Sequence, residues 1–166
     1  TNSVVNGTNG TNASGGIAEG SVRFDDLTGS ATIANSSISG GFTDNIKIEN
    51  RAGSLNRLTM NTVTMGSNNA PSGNDSVLIE AFNNATVNVT IQNSTFTAAA
   101  GDLLNYILAG NNTGDLVITN TAFSNNHPNI ATGGGGVTIV SGNNVAAGAN
   151  FTFNISGNTF RDAVGQ

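Results

Sequence analysis

Leu116-Val117-Ile118-Thr119-Asn120-Thr121-Ala122-Phe123-Ser124-Asn125 is the stretch whose reading decides the fold. It runs apolar, any, Ile, any, Asn, any, small, Phe. The same phrase returns as Ala31 to Ile38, Leu58 to Met65, Val89 to Phe96 and Phe153 to Phe160. The central apolar residues are 33, 60, 91, 118 and 155, so the copies lie 27, 31, 27 and 37 residues apart. A period of this size, made of short alternating segments, predicts a solenoid in which each repeat buries its apolar side only by stacking on its neighbours.

Each repeat carries a second short segment upstream: Val22-Arg23-Phe24, Ile46-Lys47-Ile48, Val77-Leu78-Ile79, Leu104-Asn105-Tyr106 and Val137-Thr138-Ile139. In the three middle repeats its last residue lies 12 positions before the central apolar residue (48 to 60, 79 to 91, 106 to 118). Alternate residues of a strand share a face, so stacking predicts five inward columns. They are Val22, Ile46, Val77, Leu104, Val137; Phe24, Ile48, Ile79, Tyr106, Ile139; Ala31, Leu58, Val89, Leu116, Phe153; Ile33, Met60, Ile91, Ile118, Ile155; and Ile38, Met65, Phe96, Phe123, Phe160. Every member is apolar or aromatic. Asn35, Thr62, Asn93, Asn120 and Gly157 mark the bend, where Asn and Gly tolerate left-handed backbone angles. Stacked Asn side chains are expected to bond to one another there as a ladder.

The 166 residues suffice for one domain with a core. Although the chain is rich in Gly, Asn, Thr and Ser, its 37% apolar residues fall at fixed phase, which argues for folded β structure over disorder. With 9% charged residues and a net charge of −5, it has neither a nucleic-acid footprint nor a basic membrane patch. It has no Cys, which rules out disulfides and thiolate metal sites. No apolar run approaches about 18 residues and no charged, apolar leader opens the chain, so it reads as soluble, mature or a fragment. Residues 1–19 read as a flexible arm or linker, in which only Val4 and Val5 can join a core and Asn6, Asn9 and Asn12 open glycosylation sequons. Residues 20–166 read as the solenoid domain, with loops 66–76 and 124–136 projecting from it.

The phrase, its Asn bend and its coil length resemble the right-handed parallel β-helix of the pectin-lyase-like fold over about residues 20–164. Phe42-Thr43-Asp44-Asn45, Phe123-Ser124-Asn125-Asn126 and Gly135-Gly136-Val137 also resemble repeats of polymorphic outer-membrane proteins and bacterial surface passengers. The expected fold is therefore all-β, a right-handed parallel β-helix of about five coils, with handedness following the general rule for parallel connections.

The candidate chemistry is sparse. His127 stands in a loop with no Cys and no second His, so it supports neither a zinc site nor a triad. Gly133 to Gly136 are followed by no Lys-Ser/Thr and read as a turn. Two carboxylate columns are more informative: Asp25, Glu49 and Glu80 just after the inward positions, and Asp44, Asp75 and Asp102 just before the strands. Coils about 4.8 Å apart set like charges against each other unless they are bridged. No cofactor is expected; Ca²⁺ is the one ion these columns have the chemistry to hold, while Arg23 and Lys47 neutralise part of the acid. The resemblance implies that an acidic face of this kind carries Ca²⁺ and substrate in pectate lyases, with Arg51 or Arg57 as basic partners. The Asn-Thr-Asp and Gly-His-Gly phrases of such enzymes are absent. An outward row, Thr32, Thr59, Thr90, Val117 and Thr152, suggests ice binding, but its neighbour Ala34, Asn61, Gln92, Thr119 and Ser156 is not a Thr row.

The resulting expectation is a non-enzymatic structural or adhesive module of a microbial cell surface or filament, extracellular, with no nucleic acid and no membrane insertion. Its partners are expected to be neighbouring coils of a longer chain or copies of itself docked head to tail, because no cap covers either end. Glycans are a second class of partner, and a carbohydrate-binding or lyase-type domain is the alternative function, followed by ice binding.

Overall fold

The computed structural model describes residues 2–6, 20–68, 74–124, 135–142 and 148–162. The strands in chain order are β1 (Val4–Val5), β2 (Val22–Asp25), β3 (Gly29–Ile38), β4 (Ile46–Asn50) and β5 (Ser54–Met65). β6 (Val77–Asn83), β7 (Thr86–Gln92), β8 (Thr95–Thr97), β9 (Leu104–Gly110) and β10 (Thr113–Thr119) follow. β11 (Ala122–Ser124), β12 (Val137–Ser141), β13 (Asn150–Ser156) and β14 (Thr159–Arg161) complete the chain. β2, β4, β6, β9 and β12 form a five-stranded parallel sheet. The remaining strands form a nine-stranded sheet that folds over at the bend, with β1 beside β3. Stacked, the two sheets make a β-solenoid of about four turns. The expected five coils count the rows of strands; a row closes a turn only by passing to the next, so five rows give four turns. Among the described residues no helix is long and apolar enough to cross a membrane.

All five inward columns are in register. Val22 pairs with Ile46 and Ile46 with Val77, Met60 with Ile91 and Ile91 with Ile118, and Phe96 with Phe123 and Phe123 with Phe160. Alternation makes β7 and β10 bury every second residue, the period-2 behaviour of a half-buried strand. In the fifth column the aromatic rings stack on one another: Phe96 to Phe123 at 4.8 Å and Phe123 to Phe160 at 5.3 Å.

A sixth inward column, Gly29, Leu55, Val87, Gly114 and Phe151, was not expected. It is hidden in the sequence by its glycines. A Cβ on Gly114 would collide with the Tyr106 hydroxyl and lie 2.9 Å from Leu108. The glycine opens the space in which Tyr106 donates to the Val87 carbonyl at 2.5 Å, satisfying a polar group deep in the core.

The bend residues all sit at positive φ: Asn35 at 50°, Thr62 at 57°, Asn93 at 52°, Asn120 at 50° and Gly157 at 66°. Left-handed backbone costs a β-branched Thr more than Asn, yet Thr62 complies because coils on both sides fix the bend. Gly157 has a second reason to lack a side chain, since a Cβ there would lie 2.6 Å from Asn120 Oδ1.

The outward row needs one correction. Val117 pairs with Asn154, and Thr152 pairs with Asp115, so the row is Thr32, Thr59, Thr90, Val117, Asn154. The last repeat spacing is the longest of the four, and counting back from Ile155 places Asn154, not Thr152, beside its central residue.

The N-terminal stretch also departs from a free arm. Val4 pairs with Ser37 and Val5 with Ile38, adding a short parallel strand to the open edge of β3.

Candidate functional site

Three features follow from stacking: two carboxylate columns and a pair of open coil ends. Asp25, Glu49 and Glu80 are in register on β2, β4 and β6, as expected. They do not form an open acidic face, because cations from the same rows close over them. Glu49 is 6% exposed and is paired with Arg23 at 3.5 Å, Lys47 at 3.6 Å and Arg51. Lys47 also reaches Glu80 at 3.2 Å, and Arg23 holds Asp25 at 3.0 Å. The Arg51 guanidinium lies 5.7 Å over the Phe82 ring. The alternation Arg23, Asp25, Lys47, Glu49 along adjacent strands thus bridges like charges that would otherwise oppose one another across the rows.

Asp44, Asp75 and Asp102 stack at the corner before β4, β6 and β9, and all three are buried. The first two each lend an oxygen to the backbone of the next coil. Asp75 N–H donates to Asp44 Oδ1 at 3.0 Å, and Asp102 N–H donates to Asp75 Oδ1 at 2.8 Å. Asn105 Nδ2 donates to Asp75 Oδ2 at 3.0 Å. Burial raises the Asp44 carboxyl above its usual range, against the backbone hydrogen bond from Asp75 and the charge of Lys47. Burial pushes Asp75 up to about 7, with the neighbouring Asp44 and Asp102 adding to the rise. Among the described residues no three His, Cys, Asp or Glu side chains converge so as to hold a metal ion.

Arg57 does not join the acidic column. It crosses the outer sheet face, donating to Thr90 Oγ1 at 3.0 Å and pairing with Asp115 Oδ2 at 2.6 Å. Thr152 donates to the other Asp115 oxygen at 2.7 Å. That hydroxyl and the Arg57 guanidinium hold the Asp115 carboxyl below its usual range.

The expected ladder at the bend is realised one residue further on. Asn93 Nδ2 donates to Asn61 Oδ1 at 3.0 Å, off the bend column. The ladder uses Ser94, Thr121 and Asn158 on successive coils, with Ser36 at the same position on the first coil and Val63 interrupting the series between them. Val63 N–H donates to Ser94 Oγ at 3.0 Å, Ser94 N–H to Thr121 Oγ1 at 3.4 Å, and Thr121 N–H to Asn158 Oδ1 at 2.8 Å. Each side chain in turn donates to a carbonyl just before the bend: Ser36 to Ala34, Ser94 to Gln92, Thr121 to Thr119, Asn158 to Ile118. The readable signal was a hydroxyl or amide after the bend in every repeat but one, where Val63 stands.

The ends differ in exposure. The first-coil residues Val22, Phe24, Ala31 and Ile33 are half-buried, and Val5 packs with them against the core. Ser3, Val5, Val22, Phe24, Ile33, Ser36 and Ile38 line a cavity of about 160 Å³ there. On the last coil Phe153 is 63% exposed, Phe160 51% and Ile155 36%, while Ile139 is half-buried. Asn9, Asn12, His127, Gly133 and Gly134 lie outside the described residues, as do residues 69–73 of loop 66–76 and 125–134 of loop 124–136. The described loop edges fold inward: Asn68 is buried and donates to the Thr43 and Asn74 carbonyls at 3.0 and 2.6 Å. No family model, curated protein or solved structure matches this chain.

Proposed function

We propose that the chain is a non-enzymatic, extracellular module of a microbial surface protein or filament, acting by rigid spacing and display. Kinship with the pectin-lyase-like fold and with bacterial surface passengers is part of this proposal. One observation carries it. Columns that are fully buried through the middle of the stack end in Phe153, Ile155 and Phe160, which present an apolar edge that no further strand pairs among the described residues. Such an edge is a template for further pairing, so the stack is built to be continued, by coils of a longer chain or by another copy. The carboxylates support the same reading: Glu49 is held by Arg23, Lys47 and Arg51, and Asp44 and Asp75 by backbone N–H groups.

Incubation with polygalacturonate and Ca²⁺ is expected to give no unsaturated product, and millimolar Ca²⁺ to leave the Tm unchanged. Turnover that disappears in Glu49→Gln would replace this reading with the polysaccharide enzyme. A Ca²⁺-induced rise in Tm that disappears in Asp75→Asn would replace it with a cation-dependent module.

A further inference from the structure

The first coil carries the same columns as the last. Extending the register by one coil sets Phe153 on Ala31, Ile155 on Ile33, Phe160 on Ile38, Val137 on Val22 and Ile139 on Phe24, each pair drawn from a single column. The bulkiest exposed ring, Phe153, thereby meets the smallest member of its column, Ala31. The cavity of about 160 Å³ beside Val22, Phe24 and Ile33 lies at this same edge. The outward rows are compatible as well. Thr152, Asn154 and Ser156 fall beside Ser30, Thr32 and Ala34, while Thr138 and Val140 fall beside Arg23 and Asp25, so no like charges meet.

We infer that the partner of the open C-terminal edge is the first coil of a second copy, and that β1 is the removable cap on that coil. The inference rests on the proposed reading of this edge as a place where stacking continues. β1 lies where the incoming β14 must pair, against Ser37 and Ile38. Its strand is short: two residues, Val4 72% exposed, with backbone bonds of 2.9 Å from Ser37 N to Ser3 O and from Ser39 N to Val5 O, 3.0 Å from Asn2 N to Ala34 O, and a bond of 3.3 Å from Ser3 N to Ser36 Oγ. The incoming coil offers the seven residues of β13, five of β12 and three of β14, so it displaces β1 once its concentration suffices. Head-to-tail contacts of this kind do not close on themselves and propagate as filaments.

The absence of cysteine allows a test of register in the full 166-residue chain. Neighbouring parallel strands lie about 4.8 Å apart, within the Cα range of a disulfide. Under mild oxidation Thr32→Cys/Asn154→Cys is expected to give a ladder of covalent oligomers, and Thr32→Cys/Thr152→Cys only traces. In sedimentation of the cysteine-free chain, mass is expected to rise with concentration. Deleting residues 1–6 should lower the half-assembly concentration several-fold, and Phe153→Lys should abolish assembly. A chain that stays monomeric with and without residues 1–6 overturns the inference, as does assembly that survives Phe153→Lys or cross-links out of register. Enzyme turnover is a separate readout, so failure of this interface and failure of the structural reading are told apart.

Discussion

The middle and the last coil of this solenoid use the same residue types at the same phase, yet they inhabit different solvents. Ile91 and Phe123 are buried to within 1%. Ile155 and Phe160, two coils and one coil further along the same columns, are 36% and 51% exposed. The strand phase is a local property, set by alternation and by the bend. Burial is a property of the next coil, and the last described coil has none. In such quasi-one-dimensional folds stability comes from nearest-neighbour interfaces, so the same substitution should cost very different amounts at different heights in the stack.

The largest contrast is expected in the aromatic column. Phe123→Ala, removing a ring sandwiched between Phe96 and Phe160, should cost about 3–5 kcal/mol. Phe160→Ala should cost less than half of that in the isolated monomer. Chemical denaturation of both variants checks the pair, and equal losses would mean that the last coil is covered in solution.

Ile91→Ala should cost about 2–5 kcal/mol. Thr90→Ala, one residue away and outward, should cost under about 1 kcal/mol, most of it from the hydrogen bond accepted from Arg57. Comparable destabilisation of the two variants would break the strand phase.

A third contrast concerns height in the carboxylate stacks. Asp75, enclosed between the coils of Asp44 and Asp102, has a folded pKa raised to about 7 from an ordinary 3.8. A raised folded value gives stability that is fully present below the ordinary pKa and lost as pH rises through the folded one. The protein should therefore gain about 3 kcal/mol on going from pH 7.5 to 4.5, with Asp44 adding in the same direction. In Asp75→Asn that slope should flatten; an unchanged slope would place the titration elsewhere. Asp115, on the open sheet face, behaves in the opposite sense. Its depressed carboxyl contributes stability above its ordinary pKa, and this contribution is lost as pH falls through the folded value. Being partly exposed, its pair with Arg57 should be worth less than about 1 kcal/mol when removed by Asp115→Asn.

What could be read from the sequence follows the same division. The five columns were legible because a stacked coil demands one residue class at one phase, and Ile33, Met60, Ile91, Ile118 and Ile155 meet that demand without exception. The bend was legible from Asn and Gly, and it extended correctly to Thr62. The sixth column was not, because Gly114 fills its place with empty space made for the Tyr106 hydroxyl. The post-bend ladder was missed because Ser, Thr and Asn do one job with three different side chains. The pairing of the acid column was legible in Arg23 and Lys47, but the burial of Glu49 was not, because Arg51 closes over it from the turn after β4. Thr152 belongs one outward position earlier, since the residue between the inward Phe153 and Ile155 is Asn154.

Hydrogen exchange of the full chain, followed at the β13 and β14 amides over a concentration series, tests the central claim most directly. If the last coil is an open edge that a further coil completes, these amides exchange quickly in dilute solution and become protected as concentration rises, while those of β7 and β10 stay protected throughout. Protection of β13 and β14 that is already high in dilute solution and independent of concentration would contradict the account.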